Sequence, residues 1–228
     1  MTAKKEASPT GLKDVESALT STEQFIEDNQ KILTIIVAAI VIIIGGYLLL
    51  KRFYLMPLNK EAQSQMYVAQ QYFESDSFRL ALEGDGNYLG FIDIMDEYRL
   101  TRAGKLARYY SGISYLHLED YESAIDHLKK FKTKDVLIAP IATGAIGDAK
   151  VELGEMEEAV EWYLKAAKNY ENEFTTPIYL LKAGEIYEKL GKYEQAFELY
   201  TRIEKDFPQS TEGRNIEKYI TRTRLRMN

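Results

Sequence analysis

The side chains that could carry out chemistry are few in this sequence, and their spacing does not favour catalysis. The glycine-rich segment GDGNYLG, from Gly84 to Gly90, superficially resembles a phosphate-binding loop. Its glycines have the wrong spacing, however, and no Lys-Ser/Thr pair follows, so we interpret it as a turn. The acidic residues Asp93, Asp96 and Glu97 lack the alternating oxygen ligands and central glycine of a calcium loop. A solvated helix face is the better interpretation of these three residues.

The two histidines do not form part of a recognisable metal site. His117 and His127 are ten residues apart, and no carboxylate stands at a spacing that would complete a zinc site. No Gly-x-Ser-x-Gly or Ser-x-x-Lys motif occurs, and the absence of cysteine excludes thiolate catalysis and disulfides. We therefore predict a protein that is not an enzyme and that binds no cofactor, metal ion or small-molecule substrate. A net charge of −6 argues against nucleic acid as a partner.

A long apolar segment lies near the N-terminus. Residues 32–50, ILTIIVAAIVIIIGGYLLL, carry no charge, and at 1.5 Å per residue they form a helix of roughly 28 Å, close to the hydrocarbon thickness of a bilayer. A buried core helix of this length normally has a polar face. A cleaved signal peptide would have a basic leader and a shorter apolar core. We therefore predict a retained single-pass transmembrane anchor over residues 32–50.

Residues 1–31 are predicted to form a leader on the cytoplasmic side of the membrane. Its apolar residues stand among charged ones, which favours one or two short amphipathic helices, with disorder in the first ten residues as the alternative. These apolar residues are Leu12, Val15, Leu19, Phe25 and Ile26. The basic residues on the two sides of the span are nearly balanced. The inverted topology, with the rest of the chain in the cytosol, therefore stays open.

The chain beyond the anchor contains an internal repeat. Its apolar residues recur at helical spacing, which predicts an all-α domain. Three copies follow each other at steps of 35 and 37 residues. The corresponding residues are Gly112, Tyr115, Tyr121, Ala124 and Leu128, then Gly147, Lys150, Met156, Ala159 and Tyr163, then Gly184, Tyr187, Tyr193, Ala196 and Tyr200.

Each copy is predicted to form a helical hairpin. A glycine midway along the first helix would meet an alanine early in the second, because large side chains there would push the helices apart. The turns carry LEDYESA, LGEMEEA and LGKYEQA, in which Gly154 and Gly191 can adopt the left-handed conformation that ends a helix. Pro208 is expected to stop the second helix of the third copy.

These residues resemble the tetratricopeptide repeat, a pattern of about 34 residues with a small residue at position 8, Tyr at 11, Gly at 15, Tyr at 17, Ala at 20 and an aromatic residue at 24. Three copies fit over 105–138, 140–173 and 177–210. The resemblance implies an all-α protein in which the N-terminal transmembrane helix is followed by a right-handed superhelix of repeats. We expect a degenerate first repeat with an insertion over 58–103, three repeats over 104–210, and a C-terminal capping helix over 211–228.

The resemblance also implies a groove on the concave face that binds a partner. This face is lined by positions 2, 5, 9, 12 and 13 of the first helix of each repeat. The predicted groove residues are Tyr109, Ile113, Leu116, His117, Asp148, Val151, Glu152, Leu181, Glu185, Glu188 and Lys189. Such a face is part apolar and part acidic, which suits an extended or helical polypeptide with apolar and basic side chains. Ordinary exposed polarity is the alternative for these residues.

The order of leader, span and degenerate repeats resembles the bacterial inner-membrane tetratricopeptide proteins of the YfgM type. The segments FRLALEGDGNYLGF and AGKLARYYSGISYL are similar to those of the YfgM-type proteins found in the Bacteroidetes. This resemblance implies an accessory subunit of the Sec translocon with its repeats in the periplasm. Its implied partners are translocon channel subunits, a membrane-anchored peptidyl-prolyl isomerase chaperone, or exported polypeptides. Two alternatives stay open: an assembly scaffold of a division, secretion or motility complex, and a subunit with an activity in residues 84–101.

Overall fold

The structure, a computed structural model, describes residues 25, 26 and 28–227. All regular secondary structure in this part of the chain is helical, which confirms the all-α prediction. The amphipathic helices predicted for the leader involve Leu12, Val15 and Leu19, which lie outside the described residues. The chain forms two compact units that divide between Met56 and Pro57.

The first unit contains helix α1, Gln30–Leu50, and a π-helical turn, Lys51–Leu55. None of the 21 residues of α1 is buried, although most of them are apolar. Ile42, for example, leaves 72% of its surface exposed. Among the described residues, the helical stretch that contains α1 is the one place long and apolar enough to cross a membrane. The core helix of a soluble domain is mostly buried, whereas none of the residues of α1 is.

The second unit is a succession of helices joined by short turns. In chain order they are α2 Met56–Glu74, α3 Phe78–Glu83, α4 Phe91–Glu97, α5 Arg102–His117, α6 Tyr121–Lys130, α7 Ile138–Glu152, α8 Met156–Asn169, α9 Thr175–Lys189, α10 Tyr193–Asp206 and α11 Glu217–Met227. From α4 to α11, each helix packs against the next one along the chain. The successive pairs α5–α6, α7–α8 and α9–α10 are the three hairpins that the repeat spacing predicts.

The turns inside the hairpins require a left-handed residue. Gly154 and Gly191 occupy it in the second and third hairpins, with φ of +77° and +70°. The first hairpin has Glu119 at this position, with φ of +63°. Glycine adopts this conformation without the steric cost that a Cβ imposes, so the first turn is the strained one. Asp120 follows directly and caps α6, because its carboxylate accepts a hydrogen bond of 3.1 Å from the Ser123 N–H.

In the second and third hairpins the glycine midway along the first helix makes room for an aromatic ring, whereas Gly112 in the first hairpin faces the Leu128 side chain. A Cβ added to Gly184 would lie 2.4 Å from Cε1 of Tyr200, and one added to Gly147 would lie 2.6 Å from Cε1 of Tyr163. The rings stand at position 24 of the repeat, on its second helix. The expected contact was with the alanine at position 20, which is buried in all three hairpins. The close approach of the helices therefore depends on a glycine and a ring, with the alanine adding to it.

The interior of the second unit consists of three apolar clusters along the array. One joins α2 to α5 and includes Ala62, Ala69 and Phe91. A second lies between the hairpins α5–α6 and α7–α8. The third spans α8 to α11 and ends with Ile216, just before α11, and Ile220 on α11, which together cover the last hairpin.

Candidate partner-binding groove

The predicted groove residues of the first hairpin are mostly apolar and half-buried. Tyr109, Ile113 and Leu116 on α5 pack against the cluster shared with α7. The ring of His117 is exposed on one side and stacks on Phe78, with 4.2 Å between the ring centroids. This part of the face therefore offers apolar surface without a free charge of its own.

The groove residues of the second and third hairpins are of two kinds. Val151 and Leu181 are half-buried against the cluster that joins α8 to α11. Glu152 and Lys189 are exposed at the ends of α7 and α9. Glu185 lies beside Tyr219 of α11. Burial raises the pKa of the Tyr219 phenol, and the neighbouring Glu185 carboxylate raises this pKa further.

Asp148 is held by two neighbours. Its Oδ1 accepts a hydrogen bond of 2.7 Å from the Tyr163 hydroxyl and one of 2.6 Å from Nζ of Lys182. Tyr163 belongs to the same hairpin and Lys182 to the first helix of the next one. Burial, and then the hydrogen bond to Asp148, raises the pKa of Tyr163 far above its usual range. Asp148 therefore links two neighbouring hairpins.

Glu188 occupies the same kind of network one hairpin further on. It accepts a hydrogen bond of 2.8 Å from the Tyr200 hydroxyl and bonds of 2.9 and 2.7 Å from Nε and Nη2 of Arg222 on α11. Burial alone would raise the pKa of Glu188, but the hydrogen bonds from Arg222 and Tyr200 outweigh it and lower the pKa. The side chain of Glu188 is only 13% exposed, so it lies under α11.

The sequence contains a signal for both networks that the motif comparison missed. Each acid pairs with a base 34 residues further along the chain, which is the length of one repeat. Both acids also accept a hydrogen bond from the position-24 tyrosine of their own hairpin. The first hairpin has Leu128 at position 24, which has no hydroxyl group, and its neighbouring groove residues are apolar.

The structure also exposes apolar residues at the beginning of the first helices, which the predicted set did not include. Leu137 and Ile141 at the start of α7 correspond, 37 residues later, to Phe174 and Ile178 at the start of α9. All four are exposed, and Phe174 leaves 73% of its surface uncovered. Ile141 and Ile178 stand at position 2 of the repeat, so the motif itself could have identified them. We call these four residues the apolar rim.

Two equivalent side chains fix the backbone at the apolar rim. Asp135 accepts hydrogen bonds of 2.9 Å from the N–H groups of Leu137 and Ile138, and these bonds lower its pKa. Asn172, 37 residues later, accepts bonds of 2.9 and 2.8 Å from the N–H groups of Phe174 and Thr175. The Asn172 amide also donates to the Val136 carbonyl at 3.2 Å and so ties the two turns together. The rim is therefore held on rigid turns.

A cavity of about 730 Å³ opens beside the second half of the rim. Phe174, Ile178 and Pro208 form its apolar part, and Glu173, Asp206 and Glu212 supply three carboxylates. No basic residue lines it. The cavity can hold an apolar side chain and neutralise a basic one next to it.

The segments with side chains suited to chemistry differ in what holds them. Asp85 in the GDGNYLG segment accepts hydrogen bonds from the N–H groups of Asn87 and Tyr88, at 2.9 and 2.8 Å, and closes the turn. The residues Asp93, Asp96 and Glu97 are exposed on α4. His127 lies on α6, where burial lowers its pKa, and its ring is 5.1 Å from Tyr115. Within the described residues, no three His, Cys, Asp or Glu side chains are grouped as metal ligands.

Comparison with known families and proteins gives one positive result. Residues 106–135 and 179–210 match one model described as a tetratricopeptide repeat, and residues 144–173 match another with the same description. No curated protein matches the chain. The three matches coincide with the hairpins α5–α6, α7–α8 and α9–α10. The chain therefore contains tetratricopeptide repeats, a type of repeat that typically binds proteins and has no catalytic activity of its own.

Proposed function

We propose that this protein is a non-enzymatic, membrane-anchored scaffold that binds a polypeptide along the first helices of its repeats. The observation that carries the proposal is the apolar rim, which stands on capped turns beside a cavity lined by three carboxylates. In this proposal residues 104–210 are the binding array, the degenerate repeat over 58–103 precedes it, and α11 within residues 211–228 caps it.

The anchor is supported by the surface of α1. Residues 32–50 of this helix carry no charge and none of them is buried, whereas an interior helix would be covered by its own domain. A single retained span would tether the repeat array to the membrane. We propose a bacterial inner membrane, a cytoplasmic N-terminus and periplasmic repeats.

The chemistry of the face favours a partner segment with apolar and basic side chains. Aromatic and aliphatic side chains of the partner would cover the rim residues, which are otherwise exposed to water. Lysine or arginine side chains would pair with the carboxylates of Glu173 and Glu212, whereas Asp206 already pairs with Arg202 at 3.5 Å. Because the turns that carry the rim are already ordered, little conformational entropy is lost when the partner binds.

The finer assignment is an accessory subunit of the Sec translocon that holds a periplasmic chaperone or an emerging polypeptide. It is supported by the resemblance of the leader, span and repeat order to the YfgM type. An emerging polypeptide offers the apolar and basic segments that the rim and its cavity suit. The rival within the same binding class is an assembly scaffold of another envelope complex.

Purification from native membranes tests both levels of the proposal. The tagged full chain is extracted with a gentle detergent, and the proteins that accompany it are identified by mass spectrometry. Recovery of translocon channel subunits with an isomerase chaperone supports the finer assignment. Recovery of a different complex without the channel refutes it and favours the rival scaffold.

A pair of variants then tests the face itself. Phe174→Asp combined with Ile178→Asp places negative charges on the rim, and we expect the co-purified partner to be lost. Leu225→Asp on α11 is the matched control, because Leu225 is an equally exposed apolar residue away from the rim. Retention of the partner by the double variant would contradict the proposed binding face.

A further inference from the structure

A second surface of the repeat array has the opposite charge. Two neighbouring cavities, of about 360 and 260 Å³, share Phe131 and Lys132 in their linings. No acidic residue lines either cavity, although the whole chain has a net charge of −6. We call the two cavities together the basic trough. Its basic residues are Arg99, Lys105, Arg108, Lys129, Lys130, Lys132 and Lys165.

The positive charge of the basic trough is largely unneutralised. Of its basic residues, Lys130 forms an ion pair, with Asp126 at 2.6 Å. The ion pairs of the described residues include none of the other six. Several like charges at one place repel each other, and a bound anion would relieve that repulsion.

The larger cavity of the trough combines charge with an apolar floor. Two ammonium groups lie over the Trp162 ring: Nζ of Lys165 is 4.2 Å from the ring centroid and Nζ of Lys129 is 5.5 Å from it. Leu128 and Ile146 line the same cavity. The floor can cover an apolar side chain while the lysines hold a carboxylate next to it.

The backbone between the two cavities is held in place. The Tyr170 hydroxyl donates a hydrogen bond of 3.4 Å to the Thr133 carbonyl, and the Thr133 hydroxyl accepts one of 3.1 Å from the Asp135 N–H. The ring of Phe131 lies 5.5 Å from that of Tyr109. The trough is therefore a formed surface on which a ligand would lose little entropy to ordering.

We propose that the basic trough binds an acidic, extended polypeptide segment in which carboxylate and apolar side chains alternate. Two cavities in a row, each with basic and apolar lining, fit the alternate side chains of an extended chain. The recessed apolar floor favours a polypeptide over the flat surface of an anionic membrane. None of the predicted groove residues lines the trough, so this binding site is additional to the groove.

The single tryptophan of the chain provides a direct test. The full chain in detergent is titrated with a synthetic peptide of alternating Glu and Leu, and the emission of Trp162 is followed. We expect a saturable change that weakens as salt is raised, because the attraction is between exposed charges. The same peptide with Gln in place of Glu should give no saturable change.

Charge reversal locates the binding to the trough. Lys132→Glu combined with Lys165→Glu should raise the Kd of the Glu-Leu peptide about tenfold, since two exposed attractions become repulsions. Lys205→Glu combined with Lys218→Glu, two exposed lysines elsewhere, is the matched control and should leave the Kd unchanged. Circular dichroism shows whether each variant is folded. The variants are compared by Kd and not by the size of the fluorescence change, because Lys165 lies over the Trp162 ring and its replacement alters the emission itself.

Three results would overturn the proposal. The first is an absence of any change in Trp162 emission with the Glu-Leu peptide, and the second is an unchanged Kd in the trough variant. The third is a saturable change with phosphatidylglycerol vesicles but not with the peptide, which would make the trough a lipid-binding site. Variants of Phe174 and Ile178 should not affect the peptide, so failure here and failure at the groove can be told apart.

Discussion

Arg222 on α11 is predicted to stabilise the last hairpin through Glu188. Its guanidinium makes two hydrogen bonds, of 2.9 and 2.7 Å, to a carboxylate that is only 13% exposed. In Arg222→Met the side chain keeps its length and apolar stem but loses both bonds. The Glu188 carboxylate would then keep the hydrogen bond from Tyr200 as its remaining strong interaction.

The expected loss of stability can be worked out from this geometry. Hydrogen bonds to a charged group contribute about 1.5 to 3 kcal/mol when partly buried. The Arg222 side chain is itself 51% exposed, and water screens its charge, so we take the lower part of that range. We predict that Arg222→Met lowers the free energy of unfolding by about 1.5 kcal/mol.

Urea denaturation of the detergent-solubilised full chain, followed by circular dichroism, measures this change. Arg226→Met is the matched control, because Arg226 is exposed on the same helix and takes part in none of the ion pairs between described residues. Since repeat arrays can unfold in parts, hydrogen exchange of the α11 amides gives a local second measurement. If the two variants unfold within about 0.3 kcal/mol of each other, the assigned role of the Glu188 network is wrong.

Three further predictions concern the same array. The pKa of Glu188 is lowered, so its contribution is present above the carboxyl pKa of the unfolded chain and is lost as the pH falls through the lower pKa of the folded chain. The stability difference between the wild type and Arg222→Met should therefore shrink on acidification in urea titrations at neutral and acidic pH. Gly184→Ala should lower the free energy of unfolding by about 1 to 3 kcal/mol in the same assay, because the added Cβ would clash with the Tyr200 ring. An unchanged urea midpoint would contradict this packing. Glu119→Gly should raise the free energy of unfolding by up to about 1 kcal/mol by relieving the left-handed strain, and a lower midpoint would contradict this.

The hairpins were predictable because their signals are local. Gly154 and Gly191 mark two of the turns, and the alanines of the second helices mark the packed faces. The prediction of what those faces touch was incomplete. Spacing showed that Gly184 had to be small, but the ring of Tyr200 that occupies the space comes from a helix whose rotation depends on packing.

The groove was predicted only as a set of positions. Motif positions identified Asp148 and Glu188 as residues of the first helices, but they could not show that each acid is held by a tyrosine and a base. The opposite charges 34 residues apart would have indicated this pairing. Half of the apolar rim was missed because Ile141 and Ile178 were left out of the predicted set, although they stand at position 2, which lines the face. Leu137 and Phe174 precede the first position of their repeats.

The sequence by itself determined the all-α architecture, the uncharged segment 32–50 and the three repeats, because each of these depends on residue pattern within one or two neighbouring helices. Only the tertiary structure decided which charges remain available to a partner. Asp148 is held in a network between two hairpins and Glu188 in one between the last hairpin and α11, whereas Glu173 and Glu212 beside Phe174 and the lysines beside Trp162 line cavities. The physical reason is that these cavities are assembled from helices far apart in the chain, and whether a charge is paired depends on distances that packing alone sets.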